Sequence, residues 1–249
     1  MDTLECINTR RSVRSFLDKP VEFDKVSMIL EAGHAAPSAG NLQDWKFILV
    51  TDTAIIKLIS EHCTGQYWAG EAPVMIIVCA NVERQETYYG LRGKRFYNIQ
   101  DAAAAAQNIL LAAHTLELGA CWIGAFDEIK VSDILSIPRD ARPVAIIPLG
   151  YTMDVPKAPI KVPLKDAVYF NRFGNKIEFI HRVLKDWSIE WDRAINETSM
   201  PFIQRSIRRI NDRMKSLSER MKEQARKQKE FRAQKRDAKM EQQRVHPKR

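Results

Sequence analysis

Two short stretches hold residues with chemistry to offer: Arg10-Arg11-Ser12-Val13-Arg14 and Pro37-Ser38-Ala39-Gly40-Asn41-Leu42-Gln43. In an extended chain alternate side chains share a face, so Arg10, Ser12 and Arg14 converge while Arg11 and Val13 turn away. Two planar guanidinium forks and a hydroxyl make an anion clamp suited to a terminal phosphate, because fork donors match its oxygens in pairs. Alone, the cluster also reads as a solvated basic turn. The second stretch is small, polar and uncharged. Gly40 lets backbone approach a flat polar ligand, and Asn41 and Gln43 present amide donors and acceptors.

Elements that could position these stretches follow from pattern. A short helix from about Asp2 to Asn8 precedes the clamp, and Pro20 closes it. Asp24 is placed to cap a helix whose Val26, Ile29, Leu30 and Ala32 face a core and which ends near Gly33. Lys46 to Thr51 reads as a strand, and Asp52 caps a helix through Ile55, Ile56, Leu58 and Ile59. Val74-Met75-Ile76-Ile77-Val78-Cys79-Ala80 is apolar throughout, which marks a central strand. Residues 84–97 mix tyrosines with arginines and read as a mobile surface segment. Ile99 to Ala113, rich in alanine, has high helix propensity and is expected to be deeply buried. A strand follows from Arg142 to Tyr151, in which Pro148 predicts an edge position or a bulge.

Together, in this order and spacing, Arg10-Arg11-Ser12-Val13-Arg14-Ser15-Phe16 and Ala36 to Trp45 resemble the two opening motifs of the FMN-dependent nitroreductase family, and the likeness runs to about residue 172. The resemblance implies an α+β fold: a three-layer α/β/α sandwich with a mostly antiparallel central sheet, here with a long helical C-terminal extension. It implies FMN at the interface of an obligate homodimer. The matching positions assign cofactor contacts to Arg10, Arg11, Ser12, Arg14, Pro37, Ser38, Asn41 and Gln43, some from the second subunit, although alternation turns Arg11 away. Ile123-Gly124 matches the backbone that contacts the flavin near its reactive nitrogen, and Lys161 matches a basic residue on the phosphate. The implied reaction is ping-pong hydride transfer from NADH or NADPH to a small-molecule acceptor such as a nitroaromatic or quinone, with the flavin rather than a side chain carrying the chemistry. Reductive dehalogenation, flavin processing, or a flavin-bearing binding protein are the alternatives. Where the family commonly has Pro after the Gln of the second motif, this chain has Asp44, expected to place a carboxylate near the mouth of the site.

Composition bounds the rest. A chain of 249 residues, 45% of them hydrophobic, forms one large domain or one domain with an appendage. Residues 201–249 hold 17 Lys+Arg against 6 Asp+Glu, or +11, which leaves 22 minus 25, or −3, for residues 1–200. The domain boundary is expected near residue 172, with 173–249 a basic helical extension. Ile203, Ile207, Ile210, Met214, Leu217 and Met221 follow a heptad, favouring a dimer arm or coiled coil over contact between the basic tail and nucleic acid. The cysteines at 6, 63, 79 and 121 form no metal-binding pattern and read as buried thiols. The five histidines show no pairing and read as structural. The start lacks signal-peptide features and no run is long enough to span a membrane, so the expected location is cytoplasmic.

Overall fold

A computed structural model describes residues 1–176, and the chain divides into two compact units, Met1–Val162 and Pro163–Arg249. The expected helices of the extension, including the heptad stripe, lie outside the described residues. In the second unit the described part is α7 (Leu164–Ala167) and the turn after it, where the Tyr169 and Phe173 rings pack with centroids 4.6 Å apart.

The first unit is built on a four-stranded antiparallel sheet in the order β1 (Trp45–Val50), β2 (Val74–Asn81), β4 (Ala141–Gly150), β3 (Gly119–Ala120). β2 is central and buried along almost its whole length, as its unbroken apolar run requires. Both sheet faces are covered. On one, Val74, Ile76, Val78, Ala145 and Ile147 pack against α2 (Phe23–His34) and α5 (Asn98–Thr115). On the other, Met75, Ile77, Cys79 and Ile146 pack against α3 (Thr53–Glu61) and α6 (Glu128–Leu135). This is the expected three-layer sandwich.

The alanines of α5 are there for close approach. Ala102, Ala105, Ala106 and Ala113 are fully buried, and α2 comes so near that a Cβ on Gly33 would lie 2.7 Å from Ile109 Cγ1. α1 (Thr3–Thr9) is started by a reciprocal capping box between Asp2 and Glu5 and docks on the end of α5 through Thr9 Oγ1 and His114 Nε2, 2.8 Å apart.

Two local expectations are corrected and a third is refined. Glu22, not Asp24, stands at the N-cap of α2, without a side-chain capping bond, and Asp24 falls in the first turn, where its charge still meets the helix dipole. Residues 84–97 lie mostly on the surface, as expected, with Gln85 and Gly93 buried, and they are helical, which their composition did not suggest. They form α4 (Val82–Arg92), started by the Asn81 side chain, and a π-turn over Gly93–Tyr97, because Gln85 is anchored in the interior. Pro148 is neither on an edge nor at a bulge: it pairs with Met75, and the register shift falls at Val144. Ile146 exchanges both backbone bonds with Ile123, so by alternation the nitrogen of Pro148 faces the β3 side, where pairing is interrupted between Ala120 and Ile123.

Candidate cofactor site

The clamp is laid along the sheet edge by its apolar neighbours. The chain leaves α1 at Arg10 in an extended conformation, Ser12 bridges Ala120 in parallel, and Val13 N–H donates to Ala120 O at 3.0 Å. Val13 and Phe16 are buried with Ala72, which holds the segment in place. Alternation then does what the pattern predicts. Burial pushes the Cys121 thiol up, and Arg14, the Ser12 hydroxyl, Arg10 and the Trp122 backbone pull it back, which sets the three clamp side chains on the Cys121 side of the segment.

Arg10 and Arg14 form no ion pair among the described residues. Arg10 Nε is buried without an acceptor, and the exposed Arg14 guanidinium sits 5.9 Å over the Trp68 ring. A buried charged donor without a partner is costly, and an anion such as a phosphate would relieve it. Arg11 takes another path: its Nη1 donates to Asn8 O at 2.7 Å and Arg10 O at 3.0 Å, bracing the end of α1. Lys161 is exposed in an irregular connector and has no hydrogen bond or ion pair with the clamp among the described residues.

The second stretch is a tied loop. Gly40, Asn41 and Gln43 all have positive φ (56°, 56° and 50°), a conformation that non-glycine residues adopt only when their surroundings impose it. The ties are visible. Gln43 N–H donates to Ser38 Oγ at 3.0 Å, Gln43 Nε2 donates to Asn41 Oδ1 at 2.9 Å, and Ala39 N–H donates to the Asp101 carboxylate at 3.0 and 3.1 Å. The Tyr89 hydroxyl occupies the place a Cβ on Gly40 would need. Pro37 and Asn41 are exposed, while Ser38 and Gln43 are half-buried.

Ile123 and Gly124 divide their roles. Ile123 is buried and its N–H is used by Ile146 O at 2.9 Å, whereas Gly124 is exposed and its N–H has no acceptor among the described residues. Gly124 is therefore the amide able to meet a ligand.

Asp44 is a correction. It does not stand at the mouth of the site but is buried, 1% exposed, facing Asp101 of α5 and Gln85 of α4. Sequence reasoning missed Asp101 and Gln85. A single carboxylate set among buried alanines was the available signal, since an ionisable group on such a face needs a partner. The thiol of Cys121, buried beside the clamp, was also missed.

The clamp and the loop stand far apart. The loop enters β1 at one edge of the sheet, at the end where Trp45 pairs with Ala80 and Ala80 with Arg142. The clamp lies outside β3 on the opposite edge, at the end where Ala120 pairs with Leu149. Four strand spacings across and seven residues along place these corners about 30 Å apart.

Comparison with known proteins agrees with this architecture. The family model described as Nitroreductase family matches residues 7–71 and 63–151. A Methanothermobacter thermautotrophicus protein with the provisional name NADH dehydrogenase/NAD(P)H nitroreductase is 37% identical over 162 residues, 63% of this chain and 80% of its own. The FMN reductase [NAD(P)H] of Bacillus subtilis is 29% identical over 189 residues, 69% of this chain and 76% of its own. Among solved structures, the FMN-dependent nitroreductase of Clostridium difficile R20291 superposes with a TM-score of 0.59 at 29% identity, covering 69% of this chain and 100% of that one. The relatives matched over this three-layer sandwich are named as oxidoreductases, and that is the class the chain falls in. The chain belongs to the nitroreductase family.

Among the described residues no helix is long and apolar enough to cross a membrane, and no group of three or more His, Cys, Asp or Glu could hold a metal. The four cysteines are free and buried, as expected.

Proposed function

We propose that the chain is an NAD(P)H-dependent oxidoreductase that holds FMN in a site shared between two copies of itself. One observation carries this reading: the buried Nε of Arg10 lacks an acceptor, on the same side of the edge segment as Ser12 and Arg14. The residues fit the phosphate of FMN, on which the Clostridium difficile nitroreductase depends by name and which the Bacillus subtilis relative is named for reducing. Bound FMN supplies the redox chemistry, taking electrons from NADH or NADPH and passing them to a nitroaromatic, quinone or similar acceptor in a separate half-reaction.

The protein's part is to seat and orient. Arg10, Ser12 and Arg14 would hold the phosphate, with Lys161 joining them from the connector. Gly124 N–H would donate to the ring edge where negative charge accumulates on reduction, a fixed donor in a partly dry site. Arg11 supports the clamp from behind through α1. Pro37, Ser38, Asn41 and Gln43 would hold the ring or ribityl chain of the partner's flavin, because corners of one sheet about 30 Å apart cannot both contact one such molecule. In this reading residues 1–172 form the flavin domain, 173–249 serve as a dimer arm, and the protein works in the cytoplasm, a reducing compartment that suits four free thiols.

The deciding experiment is an absorption spectrum of the purified protein followed by anaerobic titration with NADH and NADPH. The expected result is a flavin spectrum that either nucleotide bleaches. Protein that takes up no FMN, or flavin that neither nucleotide reduces, overturns the assignment.

A further inference from the structure

Behind the loop Ser38–Gln43 lies a polar cluster that hydride transfer does not use. Asp44, Gln85 and Asn98 are 1%, 0% and 1% exposed, and Asp101 is 6% exposed. Asp101 is well supplied with donors: Ala39 N–H reaches both its oxygens, and Gln85 Nε2 donates to Oδ2 at 2.7 Å. Asp44 faces Asp101 and Gln85, yet both its carboxylate oxygens are buried without a hydrogen-bond partner, as is Gln85 Oε1.

The charges around the pair are few. On Asp44, burial and the charge of Asp101 act in one direction, opposed by its own backbone N–H and the Gln85 amide. α4 contributes Gln85, α5 contributes Asp101, and among the described residues no lysine, arginine or histidine acts on Asp44. The nearby His34, Lys46 and Arg84 line an open groove on the outer side of β1 instead, and His34 Nδ1 is taken by Trp45 Nε1 at 3.2 Å. Two neighbouring buried carboxylates with no counter-cation among the described residues do not both ionise: one keeps its proton and donates it to the other.

We propose that Asp44 and Asp101 share one proton and act as a positioning pair, the proton locking the loop that carries Ser38, Asn41 and Gln43 into its cofactor-binding shape. The protonated Asp44 gives Asp101 a donor on its free side. Asp101 accepts from Ala39 N–H and holds the first residue after Ser38. That anchor helps hold the three left-handed residues Gly40, Asn41 and Gln43. Loss of the proton sets two like charges against each other, draws Asp101 off Ala39 and lets the loop relax toward ordinary backbone. Burial together with the Asp101 charge raises Asp44 to about 7, so the change falls in the neutral range. Only the identity of what the loop grips rests on the proposed FMN site.

The test uses the full chain, wild type beside Asp44→Asn, titrated from about pH 5 to about pH 9. Infrared spectroscopy should show a buried carboxylic acid C=O band in the wild type that fades near neutral pH and is missing from Asp44→Asn. FMN affinity, measured by fluorescence quenching, should weaken about tenfold across that range in the wild type and stay level in Asp44→Asn, whose amide is a permanent donor. Asp101→Asn supplies the same donor from the other side and should also level the profile, which covers a failure of the first variant to fold. A wild type without the band, a band that survives in Asp44→Asn, or parallel affinity profiles in both proteins overturns the proposal. A band that behaves as expected in protein that binds no FMN at any pH supports the shared proton and overturns the flavin assignment instead.

Discussion

Gln43 donates its backbone N–H to the Ser38 hydroxyl at 3.0 Å, so the two ends of the strained loop are tied to each other rather than to the sheet. A bond of this kind is worth about 1 kcal/mol. Ser38→Ala is expected to weaken FMN binding about fivefold with little loss of global stability, because the loop carries few core contacts. Equilibrium binding beside thermal denaturation checks it. Equal losses in both would show that the tie supports the fold rather than the site.

The three arginines of the first motif should separate cleanly. Arg10 and Arg14 point to the Cys121 face, whereas Arg11 braces α1. Charge-assisted bonds contribute about 1.5–3 kcal/mol each, so Arg10→Ala with Arg14→Ala should lower FMN affinity at least about a hundredfold. Arg11→Ala should leave occupancy nearly intact and lower the melting temperature by a few degrees. Flavin content per chain after gel filtration distinguishes the two.

Mixed dimers test the division of the site between copies. A chain with Arg10→Ala and Arg14→Ala, co-expressed with one carrying Gly40→Val, pairs an intact loop with an intact clamp at one of the two sites. That Gly40 substitution drives a side chain into the Tyr89 hydroxyl in a left-handed conformation, so the second chain lacks a working loop. The heterodimer is expected to bind one FMN while each parent binds none. No recovery would mean that clamp and loop serve the same copy.

Gly33 is where α2 meets α5, with a Cβ placed 2.7 Å from Ile109 Cγ1. Gly33→Ala should cost about 1–3 kcal/mol by overpacking, and Ile109→Val in the same chain should recover part of it, since the two positions share the space. Chemical denaturation of the single and double variants measures the coupling.

Two buried groups give stability opposite slopes with pH. Asp44 releases its proton near 3.8 when unfolded and near 7 when folded, so between those values the folded chain holds more protons. Its stabilisation is present below about pH 4 and falls as pH rises to about 7, by up to about 1.4 kcal/mol per unit. The melting temperature of Asp44→Asn relative to wild type should therefore climb across that window and level off above it. His114 runs the other way. Burial first, then the charges of Arg10 and Arg11, hold its imidazole below 6.5, so its contribution is lost as pH falls below that value. His114→Gln should flatten the acid side alone.

Short-range physics made much of this protein readable in its residues. The unbroken apolar run of β2, the Asp52 cap of α3, the alanine-rich α5 and the alternation that brings Arg10, Ser12 and Arg14 to one face depend on neighbours a few positions apart, and the structure has each of them. What required the tertiary structure depends on partners distant in sequence. Residues 84–97 read as surface, and most are, but Gln85 turns inside against Asp101. Asp44 looks like a surface carboxylate until α5 is folded over it, and Pro148 looks like an edge residue until the interruption beside β3 is in view. The placing of clamp and loop at opposite corners of one sheet follows from strand order, which no local pattern encodes, because pairing is set by which faces bury together once the whole chain has condensed.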